Sequence, residues 1–229
     1  IRSEGFTQVV LVGMGGSSLA AEVFQNVFGV AAGYPELSVL DSTDPGRVRD
    51  VESKLDLTRT LFIVSSKSGG TIELVSLYKY FSGRVREISG DAWAKQFIVI
   101  TDPGSPLEAT ARQQGVRRVF HGFADVGGRF SALTPFGLVP AALIGVDIRK
   151  VLSSAKTMAA RCAESVDPAD NPSVLLGVSM AVLAESGRDK LTFVMPETLA
   201  SFADWAEQLV AESSGKEDAG IVPVVGEKT

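Results

Sequence analysis

Short apolar runs and helically spaced segments alternate along the first half of the chain. Continuous runs rich in β-branched residues at Gln8–Gly13, Leu37–Asp41, Thr60–Ser65, Gln96–Thr101 and Arg117–Phe120 predict five strands. The segments near Ser17–Phe28, Pro45–Leu55, Thr71–Phe81 and Pro106–Gln114 have the spacing of helices. A strand with one wet face alternates apolar and polar residues, whereas these runs are apolar throughout, as burial on both faces of a parallel sheet requires. Strand–helix repetition with short connections predicts a doubly wound α/β fold. Its mostly parallel, five-stranded sheet should carry helices on both faces. Asp44-Pro45 and Ser105-Pro106 each place a capping side chain before a proline at the first helical position.

After Phe130 the pattern turns helix-rich through about Ala184. Asp147 is the expected N-cap of a helix over Ile148–Glu164, and Asp170-Asn171-Pro172 marks the next break. A last run, Lys190–Met195, reads as a strand leading through Pro196 into a helix over about Leu199–Ser213. With no repeat, low-complexity tract or linker, the expectation is one domain over residues 1–229 with a helical C-terminal extension. Both ends read as cut. The opening Ile1-Arg2-Ser3-Glu4-Gly5 resembles the last turn of an upstream helix, and the closing VPVVGEKT is a strand with a short polar tail.

Charge and composition narrow the function classes. Twenty-seven acidic against 22 basic residues give a net charge of −5, which argues against a nucleic-acid-binding surface but leaves room for a small basic pocket. The single cysteine, Cys162, forbids an intramolecular disulfide; it is expected to be a buried structural thiol in a reducing compartment. No secretory signal is visible, and the longest apolar stretch, Ala132–Val146, is too short for a membrane span and is broken by Pro135 and Pro140. A cytoplasmic protein with no membrane contact is expected.

Two loops carry the chemistry. Gly13-Met14-Gly15-Gly16-Ser17-Ser18 joins the first strand to its helix, and Ser65-Ser66-Lys67-Ser68-Gly69-Gly70-Thr71 joins the third strand to the next. Glycines allow close backbone approach, helix N-termini offer N–H groups and partial positive charge, and the hydroxyls add donors. Each loop alone also fits a serine-capped turn with no ligand. Gly13-x-Gly15 begins a dinucleotide fingerprint and Asp41 ends the second strand, but Ser18 occupies the third glycine position. Two convergent polyol- and phosphate-friendly loops favour a sugar phosphate over a dinucleotide.

GMGGSS followed by SSKSGGT resembles the sugar isomerase (SIS) domain. The segment Asp125-Val126-Gly127-Gly128-Arg129-Phe130-Ser131 resembles the glycine-glycine-arginine signature of the phosphoglucose isomerase family, and Gln208–Lys216 resembles the signature around that family's catalytic glutamate. The resemblance implies a SIS-type sheet and interconversion of glucose 6-phosphate and fructose 6-phosphate through an enediolate, with no cofactor and no metal. It implies Glu212 as the base moving a proton between C2 and C1, with Arg129 stabilising the enediolate and Gly127 and Gly128 allowing close approach. Ser66, Ser68 and Thr71 would hold the phosphate, with Lys67 adding charge. Gly16, Ser17 and Gly128 would line the sugar, with Gln208 bonding substrate. Gln208 and Glu212, four apart, share a helix face, opposite Phe202, Trp205, Ala206 and Leu209, which are expected to pack on the sheet.

The family also uses a ring-opening histidine from the neighbouring subunit of a homodimer and a lysine, both downstream of the glutamate. The only histidine, His121, is placed at a strand end before the arginine motif. The expectation is therefore a fragment lacking the second SIS subdomain, which binds hexose 6-phosphate weakly with little or no isomerase activity. The ESSGK sequence and the ending GIVPVVGE resemble the isomerase half of bacterial transaldolase–phosphoglucose isomerase fusions. The alternatives are a non-catalytic sugar-phosphate-sensing SIS module, which has no need of Arg129 with Glu212, and a dinucleotide-binding domain.

Overall fold

The computed structural model describes residues 1–227. Strands β1 (Gln8–Gly13), β2 (Glu36–Leu40), β3 (Thr60–Ser65), β4 (Phe97–Thr101) and β5 (Arg118–His121) form one sheet in the order β2-β1-β3-β4-β5. Every neighbouring pair is parallel. Helices α1 (Leu19–Phe28), α2 (Pro45–Ser53), α3 (Ile72–Ser89), α4 (Pro106–Gln114) and α5 (Pro135–Leu143) cover it.

The strands' period of two explains why they are apolar throughout. Val9, Leu11, Leu61, Ile63, Ile98 and Ile100 enter one buried cluster with Ala21 of α1 and Phe136 of α5. Their neighbours Val10, Val12, Phe62, Val64, Phe97 and Val99 enter another with Val48 of α2, Phe81 of α3 and Leu107 of α4. Helices thus lie on both faces, as a doubly wound fold requires. Phe62 lies 4.9 Å from Phe81 and 5.0 Å from Phe97, ring centre to ring centre, and Trp93 meets Phe97 edge-on at 5.5 Å. Aromatic pairs in these geometries add to the stabilisation from area burial.

The helix starts follow the expected punctuation: Asp44, Ser105 and Asp147 all accept hydrogen bonds from first-turn N–H groups. Helix α3 differs, running beyond Phe81 to Ser89. Val85 continues its buried stripe one turn on, and Gly90, with φ 53°, ends it. Gly83, within this added length, is exposed on the side away from that stripe.

The chain divides into two compact units, the first ending at Val146 and the second beginning at Asp147. The second unit contains α6 (Ile148–Arg161), α7 (Pro172–Glu185), α8 (Ala200–Ser214) and a parallel pair, β6 (Lys190–Thr192) with β7 (Val222–Val224). Asn171 caps α7 through its side chain. Two expectations are corrected here. Cys162 is half-buried at the C-cap of α6, because the helix stops at Arg161 and buries none of its residues. Phe202, expected on a packed face, is 37% exposed and leans on half-buried Trp205, with ring centres 5.5 Å apart. The buried stripe of α8 consists of the small residues Ser201, Ala203 and Ala206, which leaves the larger ring outside. Lys228 and Thr229, the end of the polar tail, lie outside the described residues.

Candidate functional site

In this strand order the chain leaves β1 toward one edge of the sheet and β3 toward the other, opening a crevice at their carboxyl ends. Both glycine-rich loops leave from these two strands. Gly13 and Ser65 are paired in register, and Ser65 Oγ donates to Ser17 O at 2.8 Å, tying the first loop to the end of β3. Gly13 is tight as well: a Cβ there would stand 3.1 Å from both Ser17 O and Ser65 O.

Helices α1 and α3 begin at this crevice, and neither has a side-chain cap. Ser18 Oγ donates back to Gly15 O at 3.1 Å, and Thr71 Oγ1 sits 3.4 Å from Ser66 Oγ. Helices α2, α4 and α5, by contrast, are capped by Asp44, Ser105 and Thr134. First-turn N–H groups without a side-chain partner favour an anion, helped by the helix dipole. The turn before α3 is preorganised: Gly69 N–H donates to Ser66 Oγ at 3.1 Å and Gly70 N–H to Ser68 Oγ at 3.3 Å. Gly69 has φ 69°, and a Cβ on it would lie 2.7 Å from Leu107 Cβ.

A third segment closes the crevice. A 3-10 turn over Gly128–Leu133 packs on the first loop so closely that a Cβ on Gly16 would meet Gly128 O at 2.6 Å. Buried Ser131 clamps the two backbones, its single hydroxyl proton shared between Gly128 O at 2.7 Å and Gly16 O at 3.2 Å. The Arg129 backbone is thereby fixed beside the glycine loop, and its guanidinium lies 4.6 Å from the centre of the Phe130 ring.

The first unit therefore brings together Gly16, Ser17, Ser66, Ser68, Thr71, Gly128 and Arg129. Lys67 sits in the same loop but points its ammonium to Asp102 and to the carbonyls of Phe123 and Ala124. In the second unit Gln208 and Glu212 meet on one face of α8, Gln208 Nε2 donating to Glu212 Oε1 at 2.8 Å. Gln208 Oε1 is buried without a hydrogen-bond partner among the described residues. His121 ends β5, with Nε2 2.8 Å from Glu108 Oε1. The Gly104 N–H, Arg112 and His121 hold the Glu108 carboxyl down at about 2, against an ordinary 4.5. A hollow of about 690 Å³ lined by Ile1, Arg2, Tyr34 and Leu143 contains none of the crevice residues.

Sequence reasoning missed three polar residues around the crevice: Ser65, Asp102 and Ser131. Each stands at the carboxyl end of a strand or within a quoted motif, but its partner lies 35 to 115 positions away along the chain, which local patterning does not expose.

The phosphoglucose isomerase family model matches residues 2–222. The chain belongs to the phosphoglucose isomerase family. It is 35% identical over 226 residues to the glucose-6-phosphate isomerase of Carboxydothermus hydrogenoformans, covering 93% of this chain and 48% of that protein. Against the enzyme of the same name from Methanocaldococcus jannaschii it is 31% identical, covering 96% of this chain and 54% of that one. The chain thus spans about half the length of the curated family members it matches. A hypothetical protein of Thermus thermophilus superposes with a TM-score of 0.87 at 29% identity over 98% of this chain and 55% of that one. The tagatose-6-phosphate ketose/aldose isomerase of Escherichia coli shares the fold, with a TM-score of 0.55 at 15% identity over 94% of this chain and 55% of that chain.

Proposed function

We propose that this chain is the sugar-phosphate-binding portion of an isomerase that interconverts glucose 6-phosphate and fructose 6-phosphate. The observation that carries the reading is the convergence of two helix starts without side-chain caps on one crevice, with Arg129 clamped beside them by Ser131. The phosphate docks on Ser66, Ser68, Thr71 and the α3 amides, while Gly16, Ser17 and Gly128 leave room for the sugar backbone. Glu212 takes the C2 proton of the open-chain aldose, and the electron pair moves to the C1 carbonyl to give an enediolate. Arg129 stabilises that negative charge electrostatically. Return of the proton to C1, with a proton passing from the C2 hydroxyl to the C1 oxygen, gives the ketose. Gln208, bonded to Glu212, holds the carboxylate in one rotamer and hydrogen-bonds substrate. The pairing of Arg129 with Glu212 in one sequence favours an isomerase over a sensor, which needs only the phosphate loops.

The complete protein in this reading is a cytoplasmic homodimer. No helix among the described residues is long and apolar enough to cross a membrane. The ESSGK and GIVPVVGE sequences support a transaldolase fusion as its wider context. By itself the chain binds hexose phosphate weakly and turns over little or none, since the family's ring-opening histidine and the lysine downstream of the glutamate have no counterpart in it.

The test is thermal-shift titration with fructose 6-phosphate on the chain and its Ser66→Ala and Thr71→Ala variants. A ligand that binds only the native state raises the melting temperature saturably. The expected result is such a rise, lost in both variants; an equal rise with NAD, or no rise at millimolar fructose 6-phosphate, overturns the reading.

A further inference from the structure

Lys67 stands between two phosphate-loop serines, so its charge invites the role of a phosphate ligand. Its surroundings assign it elsewhere. The Nζ group is paired with Asp102 Oδ2 and donates to Phe123 O at 3.0 Å and Ala124 O at 3.4 Å. An ammonium has three N–H donors, and three acceptors account for them. The side chains of the pair are only 27% and 18% exposed. The two residues are also joined through the backbone: Asp102 N–H donates to Lys67 O at 3.2 Å, and Thr101 Oγ1 to the same carbonyl at 3.4 Å. The remaining Asp102 oxygen, Oδ1, is buried without a partner among the described residues, and a Cβ on Gly122 would stand 2.6 Å from it. Oδ1 thus lies hard against Gly122, at the start of the segment that Lys67 reaches.

The geometry points to Lys67 and Asp102 as a positioning pair that fixes the phosphate loop to residues 122–129, the segment ending in Arg129, with Lys67 making no direct bond to the sugar phosphate. The ligand half of this inference rests on the function proposed above; the tether half does not. The segment that Lys67 holds, Phe123-Ala124, lies five positions or so before Arg129, so a loose tether loosens the arginine's approach to the glycine loop.

The two roles predict opposite responses. If Lys67 were a ligand, Asp102→Asn would free an ammonium and remove a negative charge near the anion, tightening phosphate binding, whereas Lys67→Met would weaken it. As a tether, each variant breaks the same connection. Both then weaken binding about tenfold, and the double variant is no weaker than either single one, because the residues act as a unit.

The experiment combines amide hydrogen exchange over residues 122–130 of the unliganded chain with calorimetric titration of fructose 6-phosphate and inorganic phosphate. It compares the parent with Lys67→Met, Asp102→Asn, the double variant and Lys67→Arg, with β1 and β3 amides as the folding control. Faster exchange confined to 122–130 in the first three, with partial recovery in Lys67→Arg, is the expected result. If Asp102→Asn does not fold, the contrast between Lys67→Met and Lys67→Arg decides. Unchanged exchange in Lys67→Met, or tighter phosphate binding by Asp102→Asn, overturns the inference. A parent that binds no fructose 6-phosphate refutes the proposed function, while the exchange arm still judges the tether.

Discussion

Gly16→Ala tests the packing on which the crevice depends. The added methyl would stand 2.6 Å from Gly128 O, 2.7 Å from Gly128 C and 3.2 Å from the Arg129 nitrogen. Ordinary van der Waals contact begins near 3.4 Å, so the arginine turn must retreat by about 0.8 Å. The neighbours are backbone atoms, already clamped by Ser131 Oγ, and no flexible side chain can swing aside. Overpacking of this kind costs about 1–3 kcal/mol. At roughly 2–4 °C per kcal/mol for a chain of this size, the melting temperature should fall by about 2–12 °C. Gly83→Ala is the matched control. Gly83 lies inside α3 with nothing within 4 Å of its Cβ position, so the same substitution should stabilise by about 0.5–1 kcal/mol through helix propensity. Circular dichroism melts and urea titrations of both variants give the comparison. Fructose 6-phosphate titration should show weaker binding by Gly16→Ala alone. If Gly16→Ala melts with or above the parent, the close contact does not constrain the crevice and the argument from it fails.

Gly69→Ala combines a positive φ of 69° with a 2.7 Å approach to Leu107 Cβ, and should lose about 1–3 kcal/mol in urea titration together with phosphate affinity; parent-like binding would contradict the cradle. Ser131→Ala removes the donor to two carbonyls and should cost about 1 kcal/mol, read from the urea midpoint at constant slope; no shift would show the clamp to be idle. Glu108 titrates lower in the folded chain, at about 2, than its ordinary 4.5, so its contribution is full above 4.5 and is lost as pH falls toward 2. Glu108→Gln should therefore flatten the acid limb of a stability-against-pH curve, and parallel curves for the two proteins would refute this assignment.

The sheet was legible because its signals are local. Runs such as Val9–Val12 and Leu61–Val64 are apolar at every position, and a strand buried on both faces leaves little alternative. Asp44, Ser105, Asp147 and Asn171 marked helix starts through chemistry acting within three residues. What escaped was set by distant partners. The length of α3 depends on Val85 reaching the core, Phe202 is displaced by small residues elsewhere on α8, and β6 finds β7 across an intervening helix. The site divides the same way. The glycine and serine loops announce themselves in sequence, whereas the meeting of residues 67, 102 and 123 is a product of the strand order.

The tryptophans give each unit its own fluorescent reporter. Of the two in the chain, Trp93 is buried edge-on to Phe97 beside the five-stranded sheet, and Trp205 lies half-buried against Phe202 on the helix that carries Gln208 and Glu212. Trp93→Phe leaves emission from the second unit alone and Trp205→Phe from the first alone. Coincident denaturation profiles for the two variants would mean that the units melt as one thermodynamic body. Separated profiles would make Trp205 emission a spectroscopic gauge of the glutamate-bearing helix, independent of the phosphate crevice.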